Sequence, residues 1–181
     1  EVDHDSTGPL SATLGELDGG AREGTWTFTI DTDGTIYEHF DLEAITWHCG
    51  AKGDNNTLSA LIGNWTLVGI EHTRDFPGQL LTPPQTQASA WLSVEIRKRC
   101  PTYAQNPPTL RLNWWEHGWI SGTTCPSGRV PWAVKKQLVM EQDTQEGDSD
   151  MRLFHTIDTQ RIYLVANGDK EHIGSQLRVN M

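Results

Sequence analysis

Apolar and polar residues alternate most clearly just after Gly24. In the stretch TWTFTIDTDGTIYEHF, Trp26, Phe28 and Ile30 share one face and Thr25, Thr27 and Thr29 the other. Asp33-Gly34 then supplies a tight turn before Thr35 to Phe40. This pattern predicts a β-hairpin. Further strands are expected at 42–49, 64–71, 90–97, 109–115, 134–141, 151–157 and 161–167, with a last one near 176–179. The intervening segments carry Pro83-Pro84, Pro107-Pro108, Gly122 and Gly147, which break regular structure. No apolar stripe of period 3.6 persists for three turns, so crossover helices are not expected. The reading is therefore all-β: an antiparallel β-barrel or, as second choice, a β-sandwich. Residues 1–24, rich in Gly, Asp and Ser, read as a flexible N-terminal arm with a short helical turn at 11–17, and residues 25–181 as a single domain.

Composition supports one folded domain in 181 residues. The formal charge of −10 argues against nucleic acid as a partner, and Arg97-Lys98-Arg99 is the densest basic run. No apolar run is long enough to cross a bilayer, so no membrane partner is expected. Glu1 to Leu10 has no signal-peptide character, and any such peptide is expected to have been removed already. Asn55-Asn56-Thr57 and Asn64-Trp65-Thr66 satisfy the N-glycosylation rule, which makes Asn55 and Asn64 glycan acceptors in this reading. Cys49, Cys100 and Cys125 each lie beside Gly or Pro. That placement suits a disulfide, with Cys100–Cys125 preferred among three pairings, at roughly 3 kcal/mol for the closed loop. Both features point to secretion, or to the lumen of the secretory pathway.

Catalytic signatures are sparse. There is no Gly-x-Ser-x-Gly, P-loop, dinucleotide fingerprint or His-Glu-x-x-His. Without His-x-His or Cys-x-x-Cys, no metal site and no cofactor are expected. Glutamate precedes histidine at Glu38-His39, Glu71-His72, Glu116-His117 and Glu171-His172. Strand neighbours face opposite ways, so these pairs are not acid–base dyads. The eight tryptophans are the marked excess, with Trp114, Trp115 and Trp119 close around His117. In a barrel these three, together with Trp47 and His39, would line a ligand pocket, and His117, His48, Tyr37 and Arg111 would polarise or protonate the ligand.

Gly24-Thr25-Trp26 resembles the opening Gly-x-Trp of the lipocalin and wider calycin barrels. That resemblance implies an Arg packed across the Trp, for which Arg161 and Arg178 are the available positions. Size, secreted character, the paired glycosylation triplets and missing cofactor motifs are similar to the secreted fungal β-proteins that catalyse hetero-Diels–Alder coupling. This implies a cofactor-independent cyclase in natural-product biosynthesis, with a hydrophobic, oxygen-bearing small molecule as substrate or ligand. The alternatives are a lectin-like module stacking sugars on exposed Trp and a secreted inhibitor. Homo-oligomerisation is left open.

Overall fold

The computed structural model describes residues 1–6, 8–19, 24–50, 63–144 and 161–163. Six short strands form one sheet: β1 (Val2–Asp5), β2 (Phe28–Ile30), β3 (Ile36–Glu38), β4 (Gly69–His72), β5 (Trp115–Glu116) and β6 (Arg161–Tyr163), in the order β5-β1-β4-β2-β3-β6. The β5-β1, β1-β4 and β4-β2 pairs are parallel, and the β2-β3 and β3-β6 pairs antiparallel. Among the described residues the helices are α1 (Leu10–Leu17), α2 (Pro83–Arg99), α3 (Pro101–Ala104), α4 (His117–Ile120) and α5 (Trp132–Thr144). The molecule is thus α/β, and the expected barrel or sandwich is corrected: a parallel core needs crossover connections, and α2 and α5 occupy two of the predicted strands.

The reason for the misreading lies in how α2 is buried. Thr82 caps its start through a capping box with Gln85, and Pro83-Pro84 occupy the first helical positions, where no N–H is required. The Gln85 amide then donates to Ile30 O at 3.0 Å and Thr73 O at 2.9 Å, fastening the helix to the sheet. One side of α2 packs Ala88, Trp91, Leu92 and Ile96 on Phe28, Ile30, Ile36 and Ile70. Another packs Ala90 and Val94 on Trp114 and Val139, against α5. A helix covered on both sides shows no single apolar stripe, and buried Ser89 and Ser93 blur it further.

The hairpin forms around Asp33-Gly34, with Gly34 at φ 92° and Thr35 N–H donating to Asp33 Oδ1 at 2.8 Å. Phe28 and Ile30 share the buried face that the alternation assigns them. The first residues of the expected arm are instead β1, hydrogen-bonded between β4 and β5. Arg161 opens edge strand β6, while Arg178 and the strands expected at 151–157 and 176–179 lie outside the described residues. Among the described residues, no helix is long and apolar enough to cross a membrane.

Alternation along β1 divides the molecule. Asp3 points toward the side of α2 and α5, where Lys135 Nζ meets both its oxygens at 2.9 and 3.0 Å, and Asp5, at the end of the strand, is held by Arg129 and by Arg74 at the cleft's edge. Val2 and His4 point the other way. Val2 packs on Cys49, Trp115 and Ile120, and His4 opens into a cleft.

Candidate metal centre

The cleft has a volume of about 430 Å³, bounded by β1 and β4 below, α1 on one side, and the loops 47–50 and 123–127 above. His4 from β1, His117 from the start of α4 and Cys125 from the following loop bring their ligand atoms within 4.8 Å of one another. The His4 and His117 rings stand 4.5 Å apart at 50°. The backbone delivers Cys125 through Gly118, whose N–H donates to Cys125 O at 2.6 Å. A Cβ on Gly118 would stand 2.6 Å from Thr123 O and 2.9 Å from Cys125 O, so only glycine allows this approach.

Electrostatics prepare these groups to bind a cation. Burial holds His4 well below the usual histidine range, with His117, His48 and His72 adding repulsion, and lowers His117 to about 4. Both imidazoles are neutral at neutral pH, with lone pairs available. Burial, then the charge of Glu71, pushes the Cys125 thiol up, so its proton leaves only in exchange for a cation. Asp5 N–H donates to Cys125 Sγ at 3.0 Å, a contact that favours the thiolate. Two imidazoles and a thiol, open to solvent on one side, fit zinc with a free fourth position. Glu71 faces the same cleft from β4, its Oε1 3.8 Å from His4 Nδ1.

A second group, His4, His48 and Cys49, lies directly behind. His48 Nδ1 is 3.0 Å from His4 Nε2 and 3.2 Å from Cys49 Sγ, and its Nε2 is 3.0 Å from Leu67 O.

The structure separates the residues singled out from sequence. His117, His48 and Trp47 reach the cleft. Tyr37 lies on β3, away from the cleft lining, and burial then Asp31 and Asp33 raise its pKa. Arg111 lies over the Trp119 ring at 4.8 Å, and His39 bonds Thr29 Oγ1 at 2.9 Å beside Trp26. Trp114 and Trp115 do face opposite ways, but each enters a core: Trp114 with Val94 and Val139, Trp115 with Val2 and Ile120. Trp119 stacks on Trp132 at 6.1 Å. The indoles of 114–119 are packing, and the pocket imagined among them is corrected accordingly.

All three cysteines are free thiols, with Cys100 against the α2 core and Cys125 at the cleft, so the expected bridge does not form. Asn64 is buried, its Nδ2 donating to Gly50 O and its Oδ1 accepting from Cys49 N–H, which leaves no room for a glycan. Asn55 lies outside the described residues. Sequence alone does not mark His4 or Glu71 as site residues: the first lies in the segment expected to be an arm, and the second stands in a Glu-His pair whose side chains face opposite ways. The eight-residue step from His117 to Cys125 on a Gly-rich segment was the legible signal.

A family model described as N-acetylmuramoyl-L-alanine amidase matches residues 2–128. Among solved structures, the catalytic domain of XlyA is 23% identical over 76% of this chain and 83% of its own, with a TM-score of 0.55. A selenomethionine derivative of AmpD is 20% identical, covering 76% of this chain and 82% of its own, with a TM-score of 0.56. The Ph2119 endolysin from Thermus scotoductus MAT2119 bacteriophage Ph2119 gives 20%, 76%, 82% and 0.52. No curated protein matches significantly. These likenesses show the α/β fold, and the family match replaces the resemblances to lipocalins and to hetero-Diels–Alder cyclases. With them go the cyclase activity, the hydrophobic ligand and the lectin alternative. The chain belongs to the N-acetylmuramoyl-L-alanine amidase family.

Proposed function

We propose that this chain is a zinc-dependent hydrolase of peptidoglycan, cleaving the amide between the N-acetylmuramoyl group and L-alanine. The observation that carries the reading is the convergence of His4, His117 and Cys125 beside Glu71 in one cleft of a chain from this family. Zinc held by the three donors would supply Lewis acidity, polarising the scissile carbonyl and acidifying water.

The chain's own groups do the rest. Neutral His4 and His117 bind without releasing protons, and the Asp5 N–H steadies the sulfur. Glu71 takes a proton from the attacking water at a carboxylate oxygen and returns it to the departing L-alanine nitrogen, so that hydroxyl ends on the carbonyl carbon and hydrogen on the amine. Trp47, half-exposed at the rim, offers an indole face to a sugar ring. Export, first inferred from glycosylation triplets and cysteines, rests in this proposal on the substrate, which lies outside the cytoplasmic membrane.

The test is product analysis on purified peptidoglycan with the zinc-loaded chain. New L-alanine amino termini without new reducing ends are expected. Glu71→Gln should lower the rate by about 10²–10⁴-fold while keeping the metal. New reducing ends, or amines on other residues, would overturn the reading.

A further inference from the structure

We propose that His48 is a positioning residue that fixes the tautomer of His4, leaving Nδ1 of His4 unprotonated toward the metal. The inference rests on the reading of His4 as a metal ligand and goes beyond it by assigning the second cluster a role.

Leu67 O can only accept, so the 3.0 Å contact requires a proton on His48 Nε2. With its one N–H committed to that carbonyl, the buried uncharged His48 ring presents a lone pair at Nδ1. His4 Nε2, 3.0 Å from that lone pair, must then donate, and the two rings meet edge-on at 83° as such a bond needs. A neutral imidazole has one N–H, so His4 Nδ1 is bare. The direction is set outside both rings, by a backbone carbonyl that cannot reverse it.

This constraint has something to oppose. Glu71 Oε1 stands 3.8 Å from His4 Nδ1, and a carboxylate there favours a proton on Nδ1. A proton on Nδ1 would block the ligand atom. The bond to His48 holds the proton on the far side, the task that outer partners of metal-ligating histidines perform. It also accounts for the His4, His48, Cys49 group: its nitrogens are committed to each other, so it is the support of the first centre. The thiol of Cys49, 3.2 Å from His48 Nδ1, is the weaker donor to the same lone pair.

The fold holds His48 in place. A Cβ on Gly69 would lie 2.6 Å from the His48 Cγ, so the ring lies flat on β4 where glycine leaves space. Asn64 fixes the next residue through the Cys49 N–H at 2.7 Å.

Two variants separate the acceptor from the bulk of the ring. His48→Asn keeps an oxygen where Nδ1 stood, and His48→Gln keeps an amide near Leu67 O but loses that acceptor. Zinc affinity by chelator competition should fall about 10–100-fold in His48→Gln and stay within about threefold in His48→Asn. Nitrogen NMR of the metal-free wild-type chain should show His4 protonated on Nε2, with the His48→Gln variant gaining the Nδ1-protonated form. Equal losses in both variants, no loss in either, or an Nδ1-protonated His4 in the wild type would overturn the proposal. The wild-type spectrum decides even if a variant fails to fold. Failure of the wild type to bind zinc would instead sink the metal reading, and the spectrum would still report the relay.

Discussion

The two faces of β1 treat ionisable groups in opposite ways. Away from the metal ligands, Asp3 is paired with Lys135, and Asp5, at the strand's end, with Arg129 and Arg74. Toward the cleft, His4, His48, His117 and Cys125 are desolvated into neutral forms with donor atoms converging. A four-residue strand thus carries its anchor and its chemistry on alternate positions. Pairing on one face fixes the backbone, and the fixed backbone holds uncharged ligands where a cation would restore the missing charge.

The anchoring side is the more costly to disturb. Lys135→Met leaves the buried Asp3 and Glu1 carboxylates without their shared cation, and denaturant unfolding of the metal-free chain should show a loss of about 3–5 kcal/mol. Replacing Glu1, Asp3 and Lys135 together with apolar residues should recover most of it. His117→Ala, on the other face, should abolish zinc binding while changing metal-free stability far less.

Acid tests the buried imidazoles next, including His72 against α2, which burial lowers to about 3. Folding lowers His48 to about 3 and His117 to about 4 from the ordinary value near 6.5, by burial first in both. Between those values the unfolded chain binds more protons, so stability is complete above about pH 6.5 and declines as pH falls toward 4. Asp3, raised to about 6 chiefly by burial, acts in the opposite sense: it protonates first in the folded chain and offsets part of the loss. Thermal melts of the metal-free chain should show a net decline over this window, and a flat profile would contradict the neutral-imidazole picture.

Gly118→Ala should cost about 1–3 kcal/mol, because its Cβ meets two carbonyl oxygens. It should also weaken zinc binding by shifting Cys125. The smallest effect is expected from Trp65→Ala: Trp65 is 71% exposed and touches Trp47 only edge-on, so stability should change by less than about 0.5 kcal/mol.

The same division explains what the sequence could reveal. The β2-β3 hairpin is legible because its apolar residues alternate with threonines even though both faces are buried, and its turn residues are local. β1 is not, because Val-Asp-His-Asp becomes strand-like only once Lys135 and Arg129 neutralise it from distant parts of the chain. α2 was hidden by burial on two sides, and the parallel strands β4 and β5 are too short and too enclosed to alternate clearly. His117 stood out, but as a proton donor. Its ligand role needs Cys125, which was assigned to a disulfide, and His4, which was assigned to an arm. The tryptophan excess misled because Trp114 and Trp115 fill two separate cores across the sheet.

The central claim is that His4, His117 and Cys125 hold one metal ion. Stripped wild-type chain and its Cys125→Ser and Cys49→Ser variants are titrated with zinc, with metal content read by native mass spectrometry. One zinc per chain is expected in the wild type and in Cys49→Ser, and a large loss of binding in Cys125→Ser. Absence of bound zinc in the wild type, or loss in Cys49→Ser in place of Cys125→Ser, would contradict the account.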